Sequence, residues 1–279
     1  MDYTKISTEI INWLQNWFVD KPGPAVIGIS GGKDSTVCAT LLVKALGKDR
    51  VIGVMMPNGI QKDISDSKKI CELLGIRSFI ININKMYEAL NYEIMSKVKD
   101  PLIERNYLIN TVGSTQDTTR YVINNPLYST NTPARCRMTV LYGIAALYNG
   151  FVVNTCNLSE DWIGYSTKWG DAVGDFSILN KLTKSEVVEL GDYLGLPHEL
   201  THKTPSDGMC GMSDEDKLGF TYDDLDNYIR SLPEYNIDGI NRLRPSDEIV
   251  KKIERMHNHP NTKKKCIILD SPLDYPTAF

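Results

Sequence analysis

Ala25-Val-Ile-Gly-Ile-Ser30-Gly-Gly-Lys-Asp-Ser35 is the stretch on which the fold turns. Residues 25–29 form a short apolar run after Pro24, the pattern of a strand buried on both faces. Residues 36–46 read as a helix stopped by Gly47. Between strand and helix lie adjacent glycines, two serines, a lysine and an aspartate. A helix start gathers unpaired backbone N–H groups and the positive end of the helix dipole, which suits a phosphate. Gly31 and Gly32 let the backbone approach such a ligand, and Ser30 and Ser35 add hydroxyl donors. Lys33 adds charge, and Asp34 is placed to hold a Mg²⁺ ion carrying the phosphates. The alternative is a glycine-rich strand–helix turn with no ligand.

Two commoner phosphate motifs do not fit. A Walker A loop requires Gly five residues before the Gly of the Gly-Lys pair and Ser or Thr after that pair, whereas position 27 is Ile and Asp34 follows Lys33. The dinucleotide fingerprint G-x-G-x-x-G fails because Ser30 stands where the second glycine belongs.

Working outward, strands and helices alternate. Upstream, Ile6, Ile10, Leu14 and Trp17 mark one face of a helix that ends before Lys21-Pro-Gly-Pro24. Downstream, strands are expected at 51–56 and 78–83, with a helix at 63–74 between them and a further strand at 151–155. Residues 84–130 begin as helix and then turn polar, so a loop is expected there. Thr132-Pro133 reads as an N-cap followed by proline at the first helical position, opening a helix to about 148. Thr183-Lys-Ser-Glu186 fits a capping box before another helix. The alternation implies an α/β protein with one doubly wound parallel sheet flanked by helices. Nothing marks a domain boundary, so one domain over 1–279 is expected, with a weakly patterned tail from about 232.

Composition narrows the function classes. The 279 residues hold 31 Lys+Arg and 35 Asp+Glu, a formal charge of −4, which gives no footprint for non-specific nucleic-acid binding. At 42% hydrophobic and 24% charged the chain is an ordinary soluble protein. Its six cysteines are scattered, the first 25 residues do not form a signal peptide, and no apolar run is long enough to span a bilayer. Reduced thiols, a cytoplasmic location and no membrane partner are therefore expected.

The 30–35 loop resembles the S-G-G-x-D-S pyrophosphate loop of the N-type ATP pyrophosphatases, which cleave ATP to AMP and pyrophosphate while adenylating a substrate oxygen. Downstream segments resemble one branch, the NAD synthetases. Asn131-Thr-Pro-Ala-Arg135-Cys-Arg137-Met138 is similar to that family's N-x-x-A-R-x-R-M segment. Residues 155–160 and 164–175 resemble its G-T-x-x-x-S/A-E and G-x-x-T-K-x-G-D-x-x-x-D motifs. Lys203-Thr-Pro-Ser206 and Ser213 through Asp223 are similar to its K-x-P-[TS] loop and D-E-x-x-L-G-[IF]-[ST]-Y-D signature.

The resemblance implies a Rossmann-like, adenine nucleotide alpha hydrolase-like fold and ATP-dependent amidation of nicotinate adenine dinucleotide (deamido-NAD) by ammonia. By position, Ser30, Gly31, Gly32, Lys33, Asp34, Ser35, Gln61, Thr155, Lys184 and Ser206 would contact ATP. Asp34 and Glu160 would hold Mg²⁺. Trp17, Asn131, Arg135, Lys168 and Asp175 would contact the dinucleotide, and Asp171 would stand near the attacking ammonia. Asp34, Lys184 and Asp171 are the catalytic candidates. The family is homodimeric, so a homodimer is expected; the length leaves no room for a glutaminase beside the synthetase, so free ammonia is the expected nitrogen donor. Taken without the resemblance, Glu160 and Lys184 are an exposed loop acid and a helix-surface lysine, and Trp17 a core residue.

The sequence departs from the family pattern in three places. Residues 84–130 are longer than in compact members, Ala172-Val173 replaces a glycine pair, and 257–265 matches the basic C-terminal segment only loosely. Three alternatives remain: a tRNA-modifying pyrophosphatase, a non-catalytic nucleotide-binding module, and a zinc peptidase built on His198-Glu-Leu-Thr-His202. The last is disfavoured because Pro197 and Pro205 confine that motif to at most two helical turns.

Overall fold

A computed structural model describes residues 1–61, 64–98, 125–203, 214–260, 262 and 269–278, together with the backbone of 107–111 and 119–123. Its centre is a five-stranded parallel sheet. The first half runs α1 (Tyr3–Trp17), β1 (Ala25–Gly28), α2 (Lys33–Leu46), β2 (Val51–Met55), α3 (Ile64–Leu74), β3 (Arg77–Ile80) and α4 (Asn84–Lys97). A hairpin of β4 (Tyr107–Thr111) and β5 (Thr119–Ile123) leads to α5 (Pro126–Tyr148). Then come β6 (Phe151–Asn154), α6 (Leu158–Ile163), β7 (Phe176–Ser177), α7 (Lys184–Tyr193), α8 (His198–Thr201), α9 (Asp214–Leu218), α10 (Tyr222–Ser231) and α11 (Asp247–His257).

The strand order is β3-β2-β1-β6-β7, with Ala25 opposite both Val51 and Phe151. This is the doubly wound arrangement expected from the strand–helix alternation, and the order reverses between β1 and β6. Loops leaving those two neighbouring strands open a crevice at their carboxyl ends, where loop 30–35 and Thr155–Glu160 meet. Helices cover both faces. Ile10, Leu14, Leu41, Leu42, Val187 and Leu190 pack on one side of the sheet, while Val26, Ile52, Val54, Ile144 and Val152 form the core on the other. A separate cluster joins Leu158, Trp162, Leu225, Ile229, Val250 and Ile253, so α6, α10 and α11 share their own apolar centre. No helix among the described residues is long and apolar enough to cross a membrane.

Three expectations are corrected. The helix expected to open at Thr132-Pro133 begins at Pro126, because Asn125 accepts from the Tyr128 N–H at 3.1 Å and supplies an earlier N-cap. Pro133 sits inside that helix, where its ring removes one helical hydrogen bond. Part of the loop expected before it is an antiparallel hairpin, with Tyr107 opposite Ile123 and Thr111 opposite Thr119. The tail from about 232, read as weakly patterned, also holds regular elements. Helix α11 buries Val250 and Ile253, and Asp270 forms a parallel bridge with Phe176 along β7.

Candidate active site

The site begins with a helix that lacks a cap. Gly32 occupies the N-cap of α2 and offers no side chain, so the N-cap residue leaves the N–H groups of the first turn without a capping bond. The hydroxyls before it are already ordered: Ser30 Oγ lies 3.1 Å from Ser35 Oγ and accepts from the Gly32 N–H at 3.2 Å. Gly31 has φ +84°, and a Cβ there would lie 3.1 Å from Ser67 Oγ and 3.3 Å from Asp66 Cβ. Asp66 in turn pairs with Lys203 at 2.9 Å, which draws the start of the K-x-P-S segment to the same loop. Lys33 is buried, and that burial, together with the charge of Lys184, lowers its pKa.

Beside this loop Lys184 bridges two carboxylates, with Nζ 2.7 Å from Asp34 and 2.8 Å from Glu160. All three side chains are largely shielded from solvent. Burial works against the lysine's charge, but Asp34 and Glu160 outweigh it and hold its pKa well above the usual lysine range. Burial pushes Glu160 up to about 7, with Asp34 adding to the rise and Lys184 opposing it. The group thus carries more negative charge than one ammonium comfortably neutralises.

Helix ends place these side chains. Asn157 caps α6 by accepting from the Glu160 N–H at 3.0 Å, and its Nδ2 donates to Asp34 at 2.9 Å. Thr183 and Glu186 form the expected capping box of α7, of which Lys184 is the first residue. Asp226 braces both helices, accepting from Ser159 Oγ and, at 2.7 Å, from the Ser185 N–H. Ser159 Oγ also accepts from the Lys184 N–H at 3.0 Å. Arg230, 1% exposed, clamps Glu186 with both Nε (2.8 Å) and Nη2 (2.6 Å).

A second group lines the neighbouring cleft. Asn131 accepts from Thr167 Oγ1 at 2.9 Å, and Arg135 Nε donates to the Lys168 carbonyl at 3.3 Å. Asp171 accepts from the Thr167 N–H at 3.0 Å, while its carbonyl accepts from Asn154 Nδ2 at 3.0 Å. The residue is exposed overall, yet the protein packed around its carboxyl raises its pKa against the pull of the Thr167 N–H and Arg137. Arg137 donates to the Met56 carbonyl at 3.0 Å. Asn131 and Arg135 also line an open cleft of about 440 Å³ with Leu90, Leu127 and Tyr128.

Asp34, Glu160 and Lys184 therefore come together, as do Asn131, Arg135, Lys168 and Asp171. Thr155 follows β6 at the carboxyl edge of the sheet, and Gln61 lies in the loop after β2 on the same edge. Asp175 is engaged elsewhere, accepting from the Val152 N–H at 2.6 Å and hydrogen-bonding Tyr142. Trp17 packs among Phe18, Phe151 and Phe176 and donates to Asp270, toward the amino ends of the strands. Neither joins the Asp34 group within this chain. Ser206 lies outside the described residues. Sequence reasoning passed over Asn157, although Asn157-Leu-Ser-Glu160 has capping-box spacing. It also missed Asp226, Arg230 and Trp169, an exposed tryptophan held at φ +63° beside Lys168.

Comparison with known proteins decides among the pyrophosphatases. The NAD synthase family model matches residues 6–266. The chain belongs to the NAD synthase family. Within this family it is 33% identical over 269 residues to an NH(3)-dependent NAD(+) synthetase of Pyrococcus furiosus, spanning 95% of this chain and 93% of that one. Among solved structures it resembles an NMN synthetase from Francisella tularensis (TM-score 0.73, 31% identity, 97% and 99% of the two chains). It also resembles an NH3-dependent NAD synthetase from Campylobacter jejuni in complex with nitrate (TM-score 0.69, 25% identity, 97% and 100%). As a family member the chain is a ligase with the adenine nucleotide alpha hydrolase fold, which disfavours the tRNA-modifying alternative. The zinc alternative also lacks support: His198 opens a four-residue helix that ends before His202, and His202 pairs with Asp192 at 2.8 Å.

Proposed function

We propose that this protein amidates nicotinate adenine dinucleotide to NAD, using ATP and free ammonia. The observation that carries the reading is the pair of carboxylates braced on one buried lysine beside an uncapped, glycine-rich helix start. A carboxylate is a poor electrophile, so its oxygen first attacks the α-phosphorus of ATP. The bond from that phosphorus to the bridging oxygen breaks, and pyrophosphate leaves into loop 30–35, with Lys33 and Lys184 balancing its charge. Ammonia then attacks the acyl carbon of the adenylate, the bond to AMP breaks, and the nitrogen loses a proton. Asp171 binds ammonium and takes the proton whose loss frees the lone pair for that attack, and the second proton, lost as the amide forms, passes to solvent. Its raised pKa makes Asp171 a better base than an ordinary carboxylate.

The donor set fits Mg²⁺. Asp34 and Glu160 are hard oxygen donors with excess negative charge, and Mg²⁺ is commonly held by one or two carboxylates plus substrate phosphates. Among the described residues no larger acidic or histidine cluster competes for it. When bound, the ion would supply charge neutralisation at the phosphates. Ser30, Gly31, Gly32 and Ser35 are assigned to the phosphates through backbone and hydroxyl donors, with Thr155, Gln61 and Ser206 at the rim. Arg135, Asn131 and Lys168 are assigned to the dinucleotide. A homodimer is part of the proposal through the resemblance to a homodimeric family alone. A cytoplasmic location completes the proposal.

The test combines purified protein, ATP, Mg²⁺ and ammonium with either deamido-NAD or nicotinate mononucleotide, scoring AMP and the amide product. NAD with stoichiometric AMP is expected. Preference for the mononucleotide would instead ally the chain with the NMN synthetase neighbour, and no AMP from either acid would sink the reading. Glu160→Gln should lower turnover at least a hundredfold with the fold intact.

A further inference from the structure

Tyr222 opens α10 beneath the Asp34–Glu160–Lys184 group. Its backbone N–H donates to Glu215 at 2.9 Å, and the capping box of Thr221 and Asp224 fixes the helix start. The side chain is 4% exposed and belongs to the cluster that holds Leu158, Phe220 and Leu225. Its ring centroid lies 5.3 Å from the Lys184 ammonium, within cation–π reach. The ring is therefore well partnered. The hydroxyl is not: it is buried and has no hydrogen-bond partner among the described residues.

Folded proteins seldom leave a buried hydroxyl unpaired, because the bond lost to water has not been replaced. Phenylalanine at this position would keep the packing and the cation–π contact without that cost. An unpaired hydroxyl facing a functional centre instead points to a partner that arrives with a ligand. Burial and the nearby Glu160 carboxylate keep the phenol protonated, so it can donate. Lys184 is already committed to two carboxylates. The acceptor that suits a donor beside this lysine and the start of α2 is an anionic phosphoryl oxygen.

We propose that Tyr222 is a substrate-binding residue whose hydroxyl donates a hydrogen bond to a phosphoryl oxygen of ATP held between loop 30–35 and Lys184. This rests on reading that centre as the ATP site. Tyr222→Phe removes the hydroxyl alone, so the full-length variant should fold and melt at the wild-type temperature or higher. Its affinities for magnesium–ATP and magnesium–pyrophosphate, measured by calorimetry, should fall about tenfold. KM for ATP should rise in parallel, with KM for deamido-NAD within twofold of wild type. A lower melting temperature would overturn the proposal, because the hydroxyl would then have a partner in the free protein. Unchanged ATP and pyrophosphate affinity would overturn it too, as would a defect confined to deamido-NAD. A wild-type chain that fails to bind magnesium–ATP removes the ATP site and this contact together. One that binds magnesium–ATP but makes no NAD defeats only the assigned reaction, and a tenfold loss of ATP affinity in the variant would still support the contact.

Discussion

The two halves of the cleft are built on different plans. Around Lys184 the functional groups bind one another: side chain meets side chain in a shielded site, and Asp226 and Arg230 brace the helices from behind. Around Asp171 the charged side chains of Arg135 and Asp171 bond main-chain atoms instead. Arg135 donates to the Lys168 carbonyl and Asp171 accepts from the Thr167 N–H, and both residues are exposed overall. The first plan preorganises charge before any ligand arrives. The second keeps charged ends available to a large, polar ligand. Stability and chemistry should therefore be coupled in the first half and separable in the second.

The sharpest way to break this contrast is Lys184→Met. Removing the shared cation leaves two buried carboxylates uncompensated, and a loss of about 3–5 kcal/mol in unfolding free energy is expected. AMP formation should fall at least a thousandfold in the same variant. Wild-type stability in denaturant titrations would show that the lysine braces nothing.

Asp226 sharpens the comparison through pH. Burial holds its carboxyl at about 6, against the pull of the Ser159 hydroxyl and the Ser185 N–H, and above the 3.8 of the unfolded chain. With the folded pKa raised, this group's contribution is fully present below about pH 4 and is lost as pH rises through about 6, a change of about 3 kcal/mol. Asp226→Asn removes that dependence. The stability advantage of wild type over the variant should shrink by this amount between pH 4 and pH 7, and a constant difference would refute the assignment.

Arg135→Ala is the smallest effect and tests the open half. KM for deamido-NAD should rise about tenfold, the loss of a hydrogen bond to a charged group. Unfolding free energy should stay within about 0.5 kcal/mol of wild type, as for an exposed side chain. A large stability loss would place Arg135 in the same class as Lys184.

Much of this was legible before any coordinates. The apolar run at 25–29, the glycine loop and the repeated helix stops fix the parallel sheet, because each is a local pattern with one structural outcome. The Thr183–Glu186 capping box was readable for the same reason. What escaped depended on contacts between distant segments. Nothing near Lys184 says that it will bridge Asp34 and Glu160 rather than lie on a helix surface; that follows only from the position of β6 beside β1. The start of α5 was misplaced because Asn125-Pro126 and Thr132-Pro133 are both sound helix openings, and the earlier cap prevails once Pro133 is buried. Tyr222 was visible as part of a motif, but its unpaired hydroxyl is a property of three-dimensional surroundings.

The bridge between β7 and Asp270 bears on how the molecule is made. Ser177 donates to the Asp270 carbonyl at 2.9 Å, and Leu273 reaches the main core. Until residues 269–278 have left the ribosome, β7 presents an unpaired strand edge. Such edges invite pairing with other chains. A nascent chain of this protein is thus most prone to self-association in the interval between the synthesis of β7 and that of residues 269–278, when Lys184 is already in place and the sheet is not yet closed.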